Sequence, residues 1–218
     1  MGGYAELTRR RDGATRPSMA IEVDLDAIRR RLAERDARRY AGPEPARWAA
    51  VATVLRPGKD GAEVLLIRRA EREGDPWSGH IAFPGGHRDA GDPDLLTTAR
   101  RETREEVGLD LGPHDLIGAL DEHAATARGR FMGMVIAPYV FAIDEAPRLV
   151  PNHEVEEMLW APLGPIARGE VETVKDIVHE GEHLRFPGYR VGEHVLWGLT
   201  HRMLEGLLGI LAGRAPRP

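Results

Sequence analysis

The stretch Phe83–Leu109, FPGGHRDAGDPDLLTTARRETREEVGL, contains the strongest local structural signals in the chain. Asp92 is a good helix N-cap, Pro93 suits the first helical position, and Gly108 is a natural helix stop. We therefore predict a helix over Leu95–Val107, preceded by a short strand and a double-glycine turn.

Three glutamates of this helix, Glu102, Glu105 and Glu106, are spaced so that their side chains form one cluster. Like charges at this spacing repel one another, and Mg²⁺ or Mn²⁺, which favour hard oxygen ligands, would compensate them. A solvated acidic face is the alternative, because 30% of all residues are charged. Gly85 and Gly86 favour the metal site, since two glycines at the end of a strand let backbone carbonyls approach a cation.

Other side chains of the helix are expected to support this cluster. Arg101 and Arg104 flank the glutamates and could hold the carboxylates in place. An adjacent, small or apolar face would pack on a sheet and leave the glutamates off the packed surface; its residues are Leu96, Ala99, Thr103 and Val107.

The double glycine followed by Arg101–Leu109, RETREEVGL, resembles the signature box of the Nudix hydrolases. The family pattern has a Glu in the loop and then reads Arg-Glu-apolar-x-Glu-Glu-x-Gly-apolar. Two features depart from it. Thr103 stands where an aliphatic residue is usual, and the loop Glu is replaced. Counting forward from Gly86 gives Asp92 in its place, whereas counting back from Arg101 gives Pro93, so the loop has one extra residue.

Three further segments resemble the coenzyme A diphosphatase branch of that family: Pro151–Val155 (PNHEV), Trp160–Leu163 (WAPL) and Trp197–Thr200 (WGLT). The resemblance extends from about Trp48 to Leu211. One segment differs. Asp75–Gly79 (DPWSG) stands where the branch carries a Ser-His pair before a Gly.

The resemblance implies a metal-dependent hydrolase that cleaves the diphosphate bond of a nucleoside diphosphate linked to another group, such as coenzyme A or a related ADP-containing metabolite. Hydrolysis of ADP-ribose, dinucleotides or modified nucleoside triphosphates is the first alternative. A non-catalytic nucleotide-sensing module on the same fold is the second.

The resemblance also implies roles for particular residues. Mg²⁺ or Mn²⁺ would be bound by the backbone carbonyl of Gly85 and the carboxylates of Glu102, Glu105 and Glu106. Arg101 would orient the glutamates. Either a general base deprotonates the attacking water or the metal lowers the pKa of that water enough; the candidate bases are Glu105, Glu154 and Glu157.

Strand and helix signals are mixed without strict alternation, which predicts an α+β fold: a Nudix-like mixed sheet sandwiched between α-helices. We expect an N-terminal arm with one helix over residues 1–45 and a Nudix hydrolase domain over 46–218. The expected elements are a helix in Asp24–Arg39, a hairpin of Trp48–Leu55 with Ala62–Ile67, strands at Ile81–Phe83, Leu116–Leu120, Phe131–Ile143 and Glu154–Trp160, and helices at Pro162–Arg168 and Val195–Leu211.

Composition excludes several functional classes. The 218 residues include no cysteine, so disulfides and thiolate chemistry are absent and the cytoplasm is the expected location. A net charge of −5 argues against nucleic-acid binding but allows a small nucleoside diphosphate derivative as partner. The longest uncharged apolar run, Phe131–Ile143, is too short to span a membrane. A homodimer with the N-terminal helix as a contact is an open alternative.

Overall fold

The computed structural model describes residues 21–74, 77–127, 130–145, 147–179 and 181–214. Expectations for residues 1–20 and for Asp75 and Pro76 lie outside these ranges. No helix in the described ranges is both long enough and apolar enough to cross a membrane.

The described ranges form four helices and eleven strands. The helices are α1 (Leu25–Ala33), α2 (Leu95–Val107), α3 (Leu163–Ala167) and α4 (Gly198–Leu211). The strands are β1 (Arg47–Gly58), β2 (Gly61–Arg69), β3 (Ile81–Ala82), β4 (Gly85–His87), β5 (Leu116–Ala119), β6 (His123–Ala127), β7 (Arg130–Ala142), β8 (Val155–Pro162), β9 (Glu172–His179), β10 (Glu182–Val191) and β11 (His194–Trp197).

A mixed sheet forms the centre of the molecule. β1 pairs antiparallel with β2 through a tight turn between Gly58 and Gly61, and parallel with β7 on its other side. The strand order is β3-β2-β1-β7-β5, while β4 pairs with β1, β6 with β7 and β8 with β2. A second sheet, β11-β10-β9, is antiparallel.

Both faces of the main sheet are buried, because successive side chains of a strand point to opposite faces. On β2, Val64 and Leu66 join the core cluster that also contains residues of α1 and α4. The alternate residues Leu65 and Ile67 pack in the other cluster, with Val107 of α2. Helices therefore lie on the two sides of the sheet, and the predicted α/β/α sandwich is confirmed.

The N-terminal helix is shorter than predicted, since α1 ends at Ala33. Beyond it, the backbone N–H groups of Arg38 and Tyr40 donate to the carboxylates of Asp121 and Glu122 rather than to a helical turn. These long-range partners fix the segment in an irregular conformation. α1 itself buries Ile28 in the main core, and the predicted domain boundary at residue 45 stays a prediction.

Other differences lie in strands with polar sequences. Strand β6 lies within the polar region 121–130, and residues 185–190 belong to β10; a strand was predicted from the sequence at neither place. The start of the predicted last helix, from Val195, is strand β11 instead, because it pairs with β10. In each case pairing with the neighbouring strand of a hairpin determines the conformation, and local periodicity carries little signal of it.

Candidate functional site

Helix α2 spans the predicted residues Leu95–Val107, but its N-cap differs from the predicted one. Asp94, not Asp92, is the N-cap, and its carboxylate accepts a hydrogen bond from the Thr97 N–H at 2.7 Å. The helix ends as predicted, with Gly108 in the left-handed conformation and its N–H donating to the Arg104 carbonyl. Asp92 is thereby free of the capping role and turns its side chain to another part of the site.

The double glycine brings β4 close to both β1 and α2. Gly85 has a φ of 152°, and a Cβ there would clash with the carbonyl oxygen of Ala50. A Cβ on Gly86 would lie 2.5 Å from the carboxylate carbon of Glu102. Glycine is required at Gly85 because the backbone of β1 lies so close to it. At Gly86 it leaves room for the carboxylate of Glu102.

Arg101 connects the loop to the acidic cluster. Its Nη2 lies 2.9 Å from the Asp92 carboxylate and 3.0 Å from the His87 carbonyl oxygen, to which it donates. Its Nη1 lies 2.9 Å from a Glu102 oxygen and 3.1 Å from a Glu105 oxygen. The guanidinium thus fixes two of the predicted metal ligands relative to the preceding loop, as expected for an orienting residue.

Asp92 is a site residue whose role the sequence did not predict. It is buried and also accepts hydrogen bonds from Thr98 Oγ1 at 2.9 Å and the Asp89 N–H at 3.0 Å. The Arg101 guanidinium holds the pKa of Asp92 well below its usual range, and the same pairing raises the pKa of Arg101. Despite the extra loop residue, an acid at this position contacts the arginine of the signature box.

Glu106 is buried, which corrects the expectation that all three glutamates lie off the packed face. Its side chain is 2% exposed, and it accepts a hydrogen bond from the Gly85 N–H at 2.8 Å. The nearest guanidinium nitrogen of Arg69 is 4.0 Å away. Burial raises the pKa of Glu106 to about 8, and repulsion by Glu102 adds to the rise.

The other two glutamates are more exposed. The Glu102 side chain is 15% exposed, and burial raises its pKa, while Arg101 acts in the opposite direction and Glu105 repulsion reinforces the rise. Glu105 is half-exposed at the surface of α2. Arg104, expected to support the cluster, is exposed and lies 4.0 Å from Asp110 instead.

The chemistry of this donor set fits a hard divalent cation. Glu106 is buried, Glu102 is partly buried, and their carboxylates repel each other, so a cation bound between them would relieve that repulsion. Across the described residues, however, no three His, Asp or Glu side chains are already arranged as ligands around one point. The set Gly85, Glu102, Glu105 and Glu106 stays a predicted metal site.

The candidate bases Glu154 and Glu157 occupy different sides of the sheet. The charge of Glu154 contributes to the raised pKa of Glu106, so the two carboxylates are near each other. Glu157, by contrast, lies 2.7 Å from His194 of the second sheet. The structure thus brings Glu154 to the acidic cluster and directs Glu157 away from it.

The two arginines at the end of β2 likewise diverge. Arg69 points towards Glu106, whereas Arg68 forms a 2.7 Å ion pair with Glu156. This divergence follows from the alternation of side chains along a strand. A small cavity of about 240 Å³ adjoins Arg69 and is also lined by Arg72 and Glu154, whose side chains are 2.9 Å apart.

Residues 46–180 match the NUDIX domain family, and this range includes β1, the double glycine, α2 and β8. The chain belongs to the Nudix hydrolase family, and the assignment made from the signature box is confirmed.

Two relatives and one solved structure illustrate the range of similarity. The mitochondrial coenzyme A diphosphatase NUDT8 of Homo sapiens is 32% identical over 199 residues, which are 87% of this chain and 79% of that protein. An uncharacterised Schizosaccharomyces pombe protein is 41% identical over 114 residues, 50% of this chain but only 35% of the longer relative. A MutT/nudix family protein from Enterococcus faecalis superposes with a TM-score of 0.49 at 21% identity, covering 87% of this chain and 68% of that one.

Proposed function

We propose that this protein is a metal-dependent diphosphatase that cleaves coenzyme A or a related ADP-containing metabolite. The observation that carries the proposal is the pair of carboxylates beside the double glycine: Glu106, which is buried and accepts the Gly85 N–H, and Glu102, which is partly buried and held by Arg101. The substrate class is supported by the similarity to the human coenzyme A diphosphatase over most of the chain.

Glu102, Glu105, Glu106 and the Gly85 carbonyl would hold Mg²⁺ or Mn²⁺ in this proposal. The bound metal would neutralise the diphosphate and lower the pKa of an attacking water. Arg101 keeps Glu102 and Glu105 in position through its own contacts with the loop. The double glycine leaves no side chain between β4 and the carboxylates.

Glu154 is our preferred general base, with Glu105 as the alternative. Glu154 lies at the start of β8, close to Glu106, and its backbone is fixed by its N–H donating to the Asn152 side chain at 2.8 Å. Its carboxylate lies 2.9 Å from Nη2 of Arg72, and a carboxylate at this place would accept a proton from the attacking water. Arg69 and Arg72 line the small cavity together with Glu154. Their positive charges would help to bind the diphosphate there.

A substrate panel tests the proposal. The purified full chain is incubated with coenzyme A, ADP-ribose, a dinucleotide and a nucleoside triphosphate, each with Mg²⁺ and with Mn²⁺. Release of 3′,5′-ADP and phosphopantetheine from coenzyme A is the expected result. Glu106→Gln should abolish this release, whereas Arg104→Gln, an exposed change on the same helix, should not. Absence of any metal-dependent hydrolysis would refute the proposed activity.

Hydrolysis of ADP-ribose or another nucleotide is the second candidate. It is favoured by the DPWSG segment, which lacks the Ser-His pair of the coenzyme A branch. Turnover of ADP-ribose without turnover of coenzyme A would support this second candidate over the first. Nucleotide binding that persists without hydrolysis under all metal and pH conditions would instead indicate a sensing module.

Assembly, location and other partners stay predictions. α1 buries Ala27, Ile28 and Leu32 in its own core, which leaves mainly charged side chains for the homodimer contact considered above. Light scattering of the full chain measures the assembly state. A cytoplasmic location is expected from the cysteine-free sequence, and the net charge predicts no nucleic-acid partner.

A further inference from the structure

A second cavity, larger than the one beside Arg69, lies on the face of the main sheet that is opposite α2. It has a volume of about 880 Å³ and is enclosed by the end of α1 and the segment after it, the β5–β6 connection, β10 and α4. Gly85, Glu102, Glu105 and Glu106 do not line it. This rear cavity is therefore separate from the candidate hydrolytic site, and its size suits a small organic molecule.

Glycines keep the rear cavity open. Gly206 and Gly209 lie in the interior of α4, where glycine is among the least favourable residues for helix stability. A Cβ at either position would meet no atom within 4 Å, so packing does not require glycine there. Their missing side chains leave space beside the apolar groups of Leu120, Pro187 and Ile210.

The cavity walls present more cationic than anionic side chains, five arginines against four carboxylates. Asp121 is shared by Arg35 and Arg38, and a buried Nη1 of Arg35 makes no hydrogen bond within the described structure. The guanidinium groups of Arg202 and Arg214 likewise form no hydrogen bond or ion pair with described residues. An entering anion would therefore find several unsatisfied donors.

The carboxylates of the cavity are mostly engaged by the protein. Glu205 accepts a hydrogen bond from the Tyr189 hydroxyl, and Glu34 pairs with Arg31 at 3.6 Å. His123, which also lines the cavity, is kept neutral. Burial lowers its pKa to about 4, and the positive charge of Arg202 lowers it further. With the histidines neutral, the five arginines and four carboxylates leave the lining with a formal charge of +1.

We infer that the rear cavity binds an anionic small molecule with an apolar body, bearing a phosphate, sulfonate or carboxylate group. The apolar part lies along the glycine face of α4, and the anion is held by the guanidinium groups. This ligand site is independent of the proposed hydrolysis.

Titration of the full chain with anilinonaphthalene sulfonate, an aromatic anion that fluoresces in apolar sites, tests the inference. Saturable binding is expected, and Gly209→Leu, which fills the cavity, should weaken it at least about tenfold. Ala33→Leu, an exposed change on α1, is the matched control and should bind normally. Absence of saturable binding, or equal binding by Gly209→Leu, would overturn the inference. Gly206→Met replaces Gly209→Leu if circular dichroism shows that the latter is unfolded.

The charge requirement has its own test. Phenyl phosphate and benzoate should displace the dye from the wild-type protein, whereas neutral phenol should not, and the stronger of the two anions identifies the preferred group. Arg202→Gln should weaken dye binding several-fold, unlike Arg190→Gln, which changes an exposed arginine outside the cavity. Equal displacement by phenol would overturn the inferred preference for anions. Hydrolysis by Gly209→Leu should match wild type, so each proposal can fail without the other.

Discussion

Replacing the buried carboxyl of Glu106 by an amide should change how the stability of the metal-free protein depends on pH. Glu106 has a pKa of about 8 in the fold, against 4.5 for an ordinary glutamate. The folded protein therefore holds this proton more tightly than the unfolded chain does. Stability should fall as the pH rises from about 4.5 to about 8 and should then level off.

The size of the effect follows from the difference between the two pKa values. Each unit corresponds to about 1.4 kcal/mol, so this group alone should destabilise the wild type by about 3 kcal/mol between pH 5 and pH 8. Glu106→Gln keeps an oxygen that can accept the Gly85 N–H but has no charge to bury. It should lack this part of the pH dependence.

Urea unfolding in the presence of a chelator, from pH 5 to pH 9, measures the difference. Glu106→Gln and wild type should be similar near pH 5, and the variant should be more stable by about 3 kcal/mol near pH 8, or by roughly 6–12 °C in melting temperature for a chain of this size. Glu105→Gln, a half-exposed neighbour, is the control and should follow wild type. Parallel profiles for Glu106→Gln and wild type would refute the reasoning, even if the variant is inactive.

Three further changes test the geometry of the site. Asp92→Asn removes the charge of a buried partner of Arg101. It should destabilise the protein by about 3 kcal/mol and lower turnover by about 10–100-fold. Unchanged turnover in the folded variant would contradict the positioning role. Gly85→Ala forces a side chain against the β1 backbone and should cost about 2–4 kcal/mol in thermal melts, whereas Gly91→Ala, which meets no atom, should be nearly neutral. Glu154→Gln should lower turnover by at least about 100-fold, and Glu157→Gln should not; the reverse order would exclude Glu154 as the base.

The elements near the active helix were predictable because their signals are local. An aspartate begins α2 and a glycine ends it, each through short-range contacts. The small residues Ala99 and Thr103 of this helix are buried as expected. The β1–β2 hairpin has apolar strands on both sides of a glycine-containing turn. Such features need no knowledge of the rest of the chain.

The parts that were missed depend on distant partners. Helical spacing shows that Glu106 is near Glu102, but its burial results from the approach of β4, which only the tertiary structure fixes. Asp92 was assigned to capping because sequence alone cannot tell which of two nearby acids the backbone will use. The hairpin of β9 and β10 mixes charged residues with apolar ones, so its strands are fixed by their pairing rather than by a strong local pattern.

The parallel pairing of β1 with β7 affects how the chain can fold during synthesis. Arg47 pairs with Met134 and Leu55 with Ala142, so a ribosome must extend the chain well past the signature helix before the second edge of β1 can pair. Until then the nascent β1 has one open edge, and its apolar residues lack part of their cover. Stalling translation before β7 should therefore yield a chain that binds chaperones. The main sheet, on which α2 and its glutamates pack, is complete only after β7 has been synthesised.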